Sequence, residues 1–403
     1  MTTSWTSGNS FTLLENGESF FPRVFEAIRS ARKHVVVETF ILFDDKVGRE
    51  LRQVLIEAAL RGVHVDITVD GYGSGDLSAE FVEGLTSAGV GFHVYDLRPR
   101  RFGVRTNLFR RMHRKVVVVD EKVAFVGGIN FGVDHLAEYG PEAKQDYAVE
   151  LTGPVVDQIY RFEAEALAPA LRRFSFRRKR MPGVRAPDLH TDSQAAFVYR
   201  DNAQHTGDIE LQYRLGIRAA QNEITIANAY FFPGYRFLRD LRNAAKRGVS
   251  VRLILQGEPD MPVAKFASTM LYDYLLSAGV RIYEYCERPL HGKVATFDGV
   301  WATVGSSNLD PLSLSLNLEA NVIIRDENFA AGLLERLEDL MRDKCTIIER
   351  ASLPRRNIQR VLVGVLVFHF LRRFPSWLGR LPVRKPELTT LGVEADESLR
   401  SDS

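Results

Sequence analysis

His113-Arg114-Lys115-Val116-Val117-Val118-Val119-Asp120 is followed, after six further residues, by Gly127-Gly128-Ile129-Asn130. The arrangement returns as His291-Gly292-Lys293-Val294-Ala295-Thr296-Phe297-Asp298 and, six residues on, Gly305-Ser306-Ser307-Asn308. Both stretches read H-x-K-x4-D-x6-G-[GS]-x-N. An apolar run between a basic pair and an aspartate reads as a buried strand. Residues i and i+2 of a strand share a face, so His113 projects with Lys115, and His291 with Lys293.

Outward from these motifs the whole chain is duplicated. Arg61-Gly62-Val63-His64-Val65-Asp66-Ile67-Thr68-Val69 echoes Arg247-Gly248-Val249-Ser250-Val251-Arg252-Leu253-Ile254-Leu255, and Ser87-Ala88-Gly89-Val90 recurs as Ser277-Ala278-Gly279-Val280. In each copy a helix (Pro22 to Ser30; Ile209 to Ala220) precedes an apolar strand (Val35 to Leu42; Ile224 to Phe231). A second helix (Val47 to Arg61; Tyr235 to Arg247) feeds a second strand (Val63 to Val69; Val249 to Leu255). Helices alternating with Val/Ile/Leu runs predict an α/β fold with parallel or mixed sheets covered on both faces. The expected divisions are a first domain over 1–170, a basic linker over 171–192, a second domain over 193–350 and a tail over 351–403. The linker reading rests on Leu171 to Arg180, strongly basic, followed by Pro182-Gly183 and Pro187.

Composition narrows the class. The chain has 403 residues, 45% hydrophobic and 26% charged, as in an ordinary globular protein. Its net charge of +2 gives no global attraction for nucleic acid. Cys286 and Cys345 lack both a disulfide framework and metal-ligand spacing, which points to a reducing compartment. Met1 to Ser10 has neither a basic nor an apolar leader segment. No run reaches the ~20 apolar residues of a membrane span, so an integral membrane protein is not expected.

An imidazole beside a fixed ammonium suits an anionic group, most naturally a phosphate. Two such pairs facing each other supply one histidine as nucleophile and the other as general acid, with Lys115 and Lys293 holding the charge. Asp120 and Asp298 are carried as catalytic candidates of the motif, although a strand end suits a turn-fixing carboxylate at least as well. The glycine pairs let backbone approach a ligand, and Asn130 and Asn308 are candidate donors to phosphate oxygens. A nucleophilic histidine needs its second nitrogen held. Asp146 and Glu319, each entering an apolar strand, are the candidates, against the plain alternative of strand-start carboxylates. His34, His64, His93, His135, His190, His205 and His369 show no matching constellation and are read as structural or surface residues. Nothing resembles a zinc or calcium site, a P-loop or a dinucleotide fingerprint, so no metal and no cofactor are expected.

The doubled motif resembles that of the phospholipase D superfamily over both halves. Leu13 to Glu18, Asp70 to Ser74, Arg110 to Lys115, Asn228 to Gly234 and Gly305 to Ser313 are similar to the bacterial cardiolipin synthases of the B type. The likeness runs from about Ser4 to the tail, with no departure from the motif, and the absence of N-terminal membrane helices fits the B type. The resemblance implies two α/β/α sandwich domains about a pseudo-twofold, with one active site at their interface. It implies phosphatidyl transfer between two phosphatidylglycerol molecules through a phosphohistidine, with His113 as nucleophile and His291 as acid, then base. It also implies a peripheral protein of the bacterial inner membrane, on the cytoplasmic face, with no nucleic-acid partner and no obligatory protein partner.

Two stretches suit a lipid surface. Val90 is 23 residues before His113, but Val280 only 11 before His291, so the first half carries a 12-residue insertion within Arg98 to Arg111. From Arg98 to Lys115 there are eight Arg or Lys and no acidic residue, interleaved with Phe102, Leu108 and Phe109. In the tail, Val361 to Phe368 is apolar and flanked by Arg355, Arg356, Arg360, Arg372, Arg373 and Trp377, as in an interfacial helix. A solvated loop and a docked core helix are the plainer alternatives. From about Glu387 the chain is expected to be disordered. A phospholipase D or nuclease-type phosphodiesterase, and a non-catalytic lipid-binding scaffold, remain open as functions.

Overall fold

The computed structural model describes residues 4–97, 110–171, 193–257, 271–352 and 386–392. The basic linker from 172, most of the insertion (98–109) and the apolar tail (353–385) lie outside the described residues. The first half comprises β2 (Ser10–Glu15), α1 (Asn16–Ser30), β3 (His34–Thr39), α2 (Lys46–Leu60) and β4 (His64–Asp70). It continues through α3 (Ala79–Ser87), β5 (Gly91–Tyr95), β6 (Val116–Val119), β7 (Val123–Gly127), β8 (Tyr147–Thr152) and α4 (Val155–Leu171). The second half repeats the order with β9 (Gln194–Arg200), α5 (Asp208–Ala219), β10 (Glu223–Asn228), α6 (Tyr235–Lys246) and β11 (Ser250–Gln256). Helical residues 271–276 (α7) follow. Then come β12 (Arg281–Tyr285), β13 (Lys293–Phe297), β14 (Trp301–Gly305), β15 (Glu319–Arg325), α8 (Glu327–Lys344) and β16 (Cys345–Ile347). Among the described residues three short strands lie outside this repeat, β1 (Thr6–Ser7) before it, β16 after α8, and β17 (Leu388–Leu391) beyond that.

The repeated Arg-Gly-Val and Ser-Ala-Gly-Val stretches turn out to be helix stops. Gly62 and Gly248 take φ of 85° and 94°, and Gly89 and Gly279 take 87° and 91°, left-handed values that a side chain would strain. Each lets the next valine amide reach back to a helix carbonyl, as Val63 to Ala58 and Val249 to Ala244, and the strand begins at the residue after that valine. Asp45 caps α2, Ser78 caps α3 and Asp326 caps α8 through side-chain acceptors. Helix α1 starts at Asn16, not at Pro22, which lies inside it.

Both sheets are mixed. The first runs β17-β5-β4-β3-β6-β7-β8-β2 and the second β1-β9-β15-β14-β13-β10-β11-β12-β16. Seven central positions correspond strand for strand. Along β6, Val117 and Val119 enter the core under α1 to α3, whereas Val116 and Val118 enter a core shared by both halves. That shared core also holds Val155, Val156 and Ile159 of α4, with Leu333 and Leu337 of α8. The two sheets are thus fused through their inner faces.

Two edge strands run across the expected divisions. In the second sheet β1 pairs with Gln194 and Ala195, and in the first β17 pairs with Phe92 to Tyr95. The tail expected to be disordered from Glu387 therefore contains an ordered strand. Asp96 N–H donates to the Glu387 carbonyl at 2.8 Å, and the buried His93 bridges Asp66 and Thr390 at 2.9 Å each. The physical reason is an otherwise open edge at β5.

Candidate active site

The site lies where β6 and β13 begin, alongside the carboxyl ends of the parallel strands β3 and β10. Two symmetry-related bridges lock the halves together there. His113 N–H donates to Leu318 O at 2.9 Å and Leu318 N–H to Arg111 O at 2.8 Å, while His291 and Gly292 N–H donate to Gln145 O at 2.8 and 3.0 Å. Each motif is therefore seated on the acidic strand of the opposite half.

That seating decides the carboxylate partners. His113 Nδ1 lies 3.0 Å from Glu319 Oε2, and His291 Nδ1 lies 2.6 Å from Asp146 Oδ2. Both carboxyl groups are fully buried. A carboxylate on Nδ1 leaves Nε2 of each ring free for chemistry. The sequence marked Asp146 and Glu319 as candidates without assigning either to a histidine; the structure pairs each with the histidine of the opposite half. Ser306 Oγ also donates to Glu319 Oε2, at 2.6 Å, whereas Gly128 takes the matching position in the first half. A Cβ on Gly128 would stand 2.3 Å from Asp146 Oδ1, so this glycine is required by the carboxylate.

The lysines sit as the strand period demands. Lys115 Nζ donates to the His113 carbonyl at 2.8 Å, and Lys293 Nζ to that of His291. Between His113 and Lys115 in sequence, Arg114 turns to the other face and forms a two-pronged pair with Glu38 at 2.6 Å per contact. Burial lowers Lys115 to about 7 and Lys293 to about 8, with Lys293 pushing Lys115 further down. Burial likewise lowers His113 to about 4 and carries His291 well below its ordinary range. Burial raises Asp146. The site thus holds positive charge at a cost, which a bound anion offsets.

Asn130 accepts the Ile41 N–H on Oδ1 at 3.2 Å. Its buried Nδ2 has no hydrogen-bond partner among the described residues, as suits a donor awaiting an oxygen. Asn308 stands at the matching place with its Oδ1 unpartnered among those residues.

Asp120 and Asp298 are removed from the reacting groups. Asp120 accepts backbone N–H from Arg32, Lys33 and His34 at 2.7 to 3.1 Å. Asp298 does the same for Gln221, Asn222 and Glu223 at 2.7 to 2.9 Å. Their φ values are 53° and 52°. They fix the turns that end β6 and β13 against the starts of the neighbouring strands β3 and β10.

Several site residues were not anticipated. Phe40 packs its ring 4.9 Å from His113 and 5.1 Å from Lys115 Nζ. Asp70, raised to about 6 by burial, holds the Met112 N–H at 2.8 Å and so anchors the approach to His113. Arg111 lies 4.0 Å over the Tyr72 ring. His135, read as structural or surface, is buried beside Asp146 and His291. Asp70 was legible as part of Asp70-Gly71-Tyr72-Gly73-Ser74. His135 carried no signal, because a short 3-10 turn at Val133–His135 brings it in.

A doubled mixed sheet whose two His–Lys pairs share one buried site defines a phospholipase D-like protein. The chain belongs to the family described as "Cardiolipin synthase, PLD-like domain", which matches residues 24–165 and 214–341. It is 52% identical to cardiolipin synthase B of Shigella flexneri over all of this chain and 97% of that protein. Cardiolipin synthase A of Pseudomonas fluorescens is 34% identical over 82% of this chain and 68% of its own length. Among solved structures, phosphatidylserine synthase of Haemophilus influenzae shares the fold, with a TM-score of 0.69 at 14% identity, covering 94% of this chain and 97% of that one. The expected α/β architecture of two phospholipase D-like domains is borne out.

Proposed function

We propose that this protein is a cardiolipin synthase, transferring a phosphatidyl group from one phosphatidylglycerol to the terminal glycerol hydroxyl of another, with release of glycerol. The observation that carries the mechanism is the crossed pairing of His113 with Glu319 and His291 with Asp146. Full-length likeness to proteins named cardiolipin synthase B supports the substrate.

The phosphate of the donor lipid binds between Lys115 and Lys293, with Asn130 and Asn308 on its oxygens. His113, neutral and with its proton on Nδ1, attacks phosphorus through Nε2. The negative charge of the bound phosphodiester holds His291 in its protonated form; the P–N bond then forms as the P–O bond to glycerol breaks, and His291 gives its Nε2 proton to the leaving oxygen. Glu319 then faces a cationic phosphohistidine ring. His291 next takes the proton of the acceptor lipid's hydroxyl, whose oxygen displaces His113 from phosphorus. Protons balance over the two displacements.

The protein works from the membrane surface, on the cytoplasmic side of the inner membrane. No helix among the described residues is long and apolar enough to cross a membrane, while Phe43, Tyr139, Tyr235 and Leu312 are exposed. The test is rapid mixing with phosphatidylglycerol vesicles, an alkaline quench that preserves phosphohistidine, and peptide mapping by mass spectrometry. A phosphatidyl adduct on His113 is expected. An adduct on His291 would reverse the two roles, and its absence at every time point during turnover would remove the covalent route.

A further inference from the structure

The two motifs match in sequence, yet their histidines stand in different surroundings, and the difference is made by His135. Its Nε2 accepts the backbone N–H of Asn130 at 3.2 Å. An amide nitrogen only donates, so the proton of the neutral ring is on Nδ1. Burial keeps that ring neutral, well below its usual range. Nδ1 has no hydrogen-bond partner among the described residues. It lies 3.8 Å from Asp146 Oδ2, the oxygen that holds His291 Nδ1 at 2.6 Å. The two rings meet edge to face, with centroids 5.6 Å apart. A shift of under about 1 Å brings this N–H into hydrogen-bonding range.

The ligand-type atoms of His135, Asp146 and His291 lie within 4.8 Å of one another. That spacing also suits a metal, but a ligating imidazole presents a bare nitrogen and donates through the other. His135 has the opposite arrangement, which fits a hydrogen-bonded chain. Among the described residues the second half has no counterpart. There the Ser306 hydroxyl reaches Glu319, and Ser313, at the position matching His135, turns its amide to Asp310.

We propose that His135 is a positioning residue for the transfer reaction, a neutral Nδ1–H donor that acts on Asp146 and thereby sets the placement and acidity of His291. The proposal rests on the reading of His113 as nucleophile and His291 as acid and base. When His291 gives up its Nε2 proton, its Nδ1–H remains on Asp146 and the carboxylate keeps its charge; the His135 donor shares that charge. A second donor favours the deprotonated Asp146–His291 pair, so its loss raises the pair's proton affinity. Other charges facing the pair are those of Lys115, Lys144 and Lys293, with His113 also near His291. They are unchanged by substitution at His135.

The test compares kcat against pH for the full chain with phosphatidylglycerol vesicles, in wild type, His135→Phe and His135→Asn. Phenylalanine keeps the ring and removes both nitrogens; asparagine returns an N–H near the Nδ1 position. The alkaline limb of His135→Phe is expected to move up by about one unit, with plateau kcat reduced roughly ten-fold. His135→Asn is expected to restore the limb. A His135→Phe profile superimposed on wild type overturns the proposal, as does equal loss in both variants without a shift.

Should either variant fail to fold, ring-nitrogen NMR of the wild type decides. The Nδ1–H tautomer of His135 from about pH 5 to 9 is expected, and the Nε2–H tautomer overturns it. His113→Ala and His291→Ala separate the two levels. Their inactivity with an unshifted His135→Phe sinks only the role of His135, whereas their full activity sinks the underlying mechanism and this proposal with it.

Discussion

Replacing Glu319 by Gln keeps the size of a fully buried side chain and removes its charge. His113 is neutral before it attacks and cationic once phosphorus is on Nε2, so the charge of Glu319 acts mainly on the chemical step and little on binding. The carboxylate stands 3.0 Å from Nδ1, and at an effective dielectric of about 20 a unit pair at that distance is worth about 5.5 kcal/mol. With half the ring charge developed in the transition state, about 2.8 kcal/mol is lost, which is roughly 100-fold in rate. Full development sets an upper bound of about 10,000-fold. Glu319→Gln is therefore expected to lower kcat by about 100-fold or more, with little change in KM. The assay is initial-rate cardiolipin formation on phosphatidylglycerol vesicles, with a melting curve to show the variant is folded. A folded Glu319→Gln enzyme within about three-fold of wild type would refute the charge argument.

Three further outcomes rest on the same geometry. Asp120→Ala removes an acceptor from three backbone amides and is expected to cost about 1–3 kcal/mol of stability by denaturant titration while leaving kcat within about two-fold. Gly128→Ala drives a methyl group to 2.3 Å from Asp146 Oδ1 and is expected to lower kcat at least about ten-fold without a matching loss of binding. The buried lysines give a pH signature. Lys115 is lowered to about 7 from 10.5, so across that window the unfolded chain binds more protons than the folded one. Its contribution therefore destabilises fully below about pH 7 and is relieved as pH rises towards 10.5, at up to about 1.4 kcal/mol per pH unit. Lys115→Met should flatten that rise in urea titrations at about pH 7 and 9, and inorganic phosphate should stabilise wild type more than the variant.

How much of this was legible depended on whether the signal was local. The two His–Lys pairs were readable because strand period puts i and i+2 together, and the helix–strand order was readable because its glycine stops recur. Asp146 and Glu319 stood out as acids entering apolar strands. Their crossed partners were not visible, because nothing local in sequence says which half's strand meets which motif; the bridges from Leu318 to His113 and from Gln145 to His291 decide it. Asp120 and Asp298 shared the motif's spacing with the reacting groups, and only the fold shows their carboxylates spent on backbone amides. His135 and Ser306 enter through a short turn and a strand end, where no periodicity announces a contact. Leu388–Leu391 looked like the end of a polar tail and became a strand because β5 supplied an unpaired edge.

The central claim is that one site built from both halves passes a phosphatidyl group from lipid to lipid. The most direct measurement gives the purified protein phosphatidylglycerol vesicles and tracks lipids and glycerol together by mass spectrometry. Cardiolipin and glycerol appearing in equal amounts, and disappearing together in His113→Ala, is the predicted result. Phosphatidic acid in place of cardiolipin would show water as the acceptor and contradict the transfer reaction.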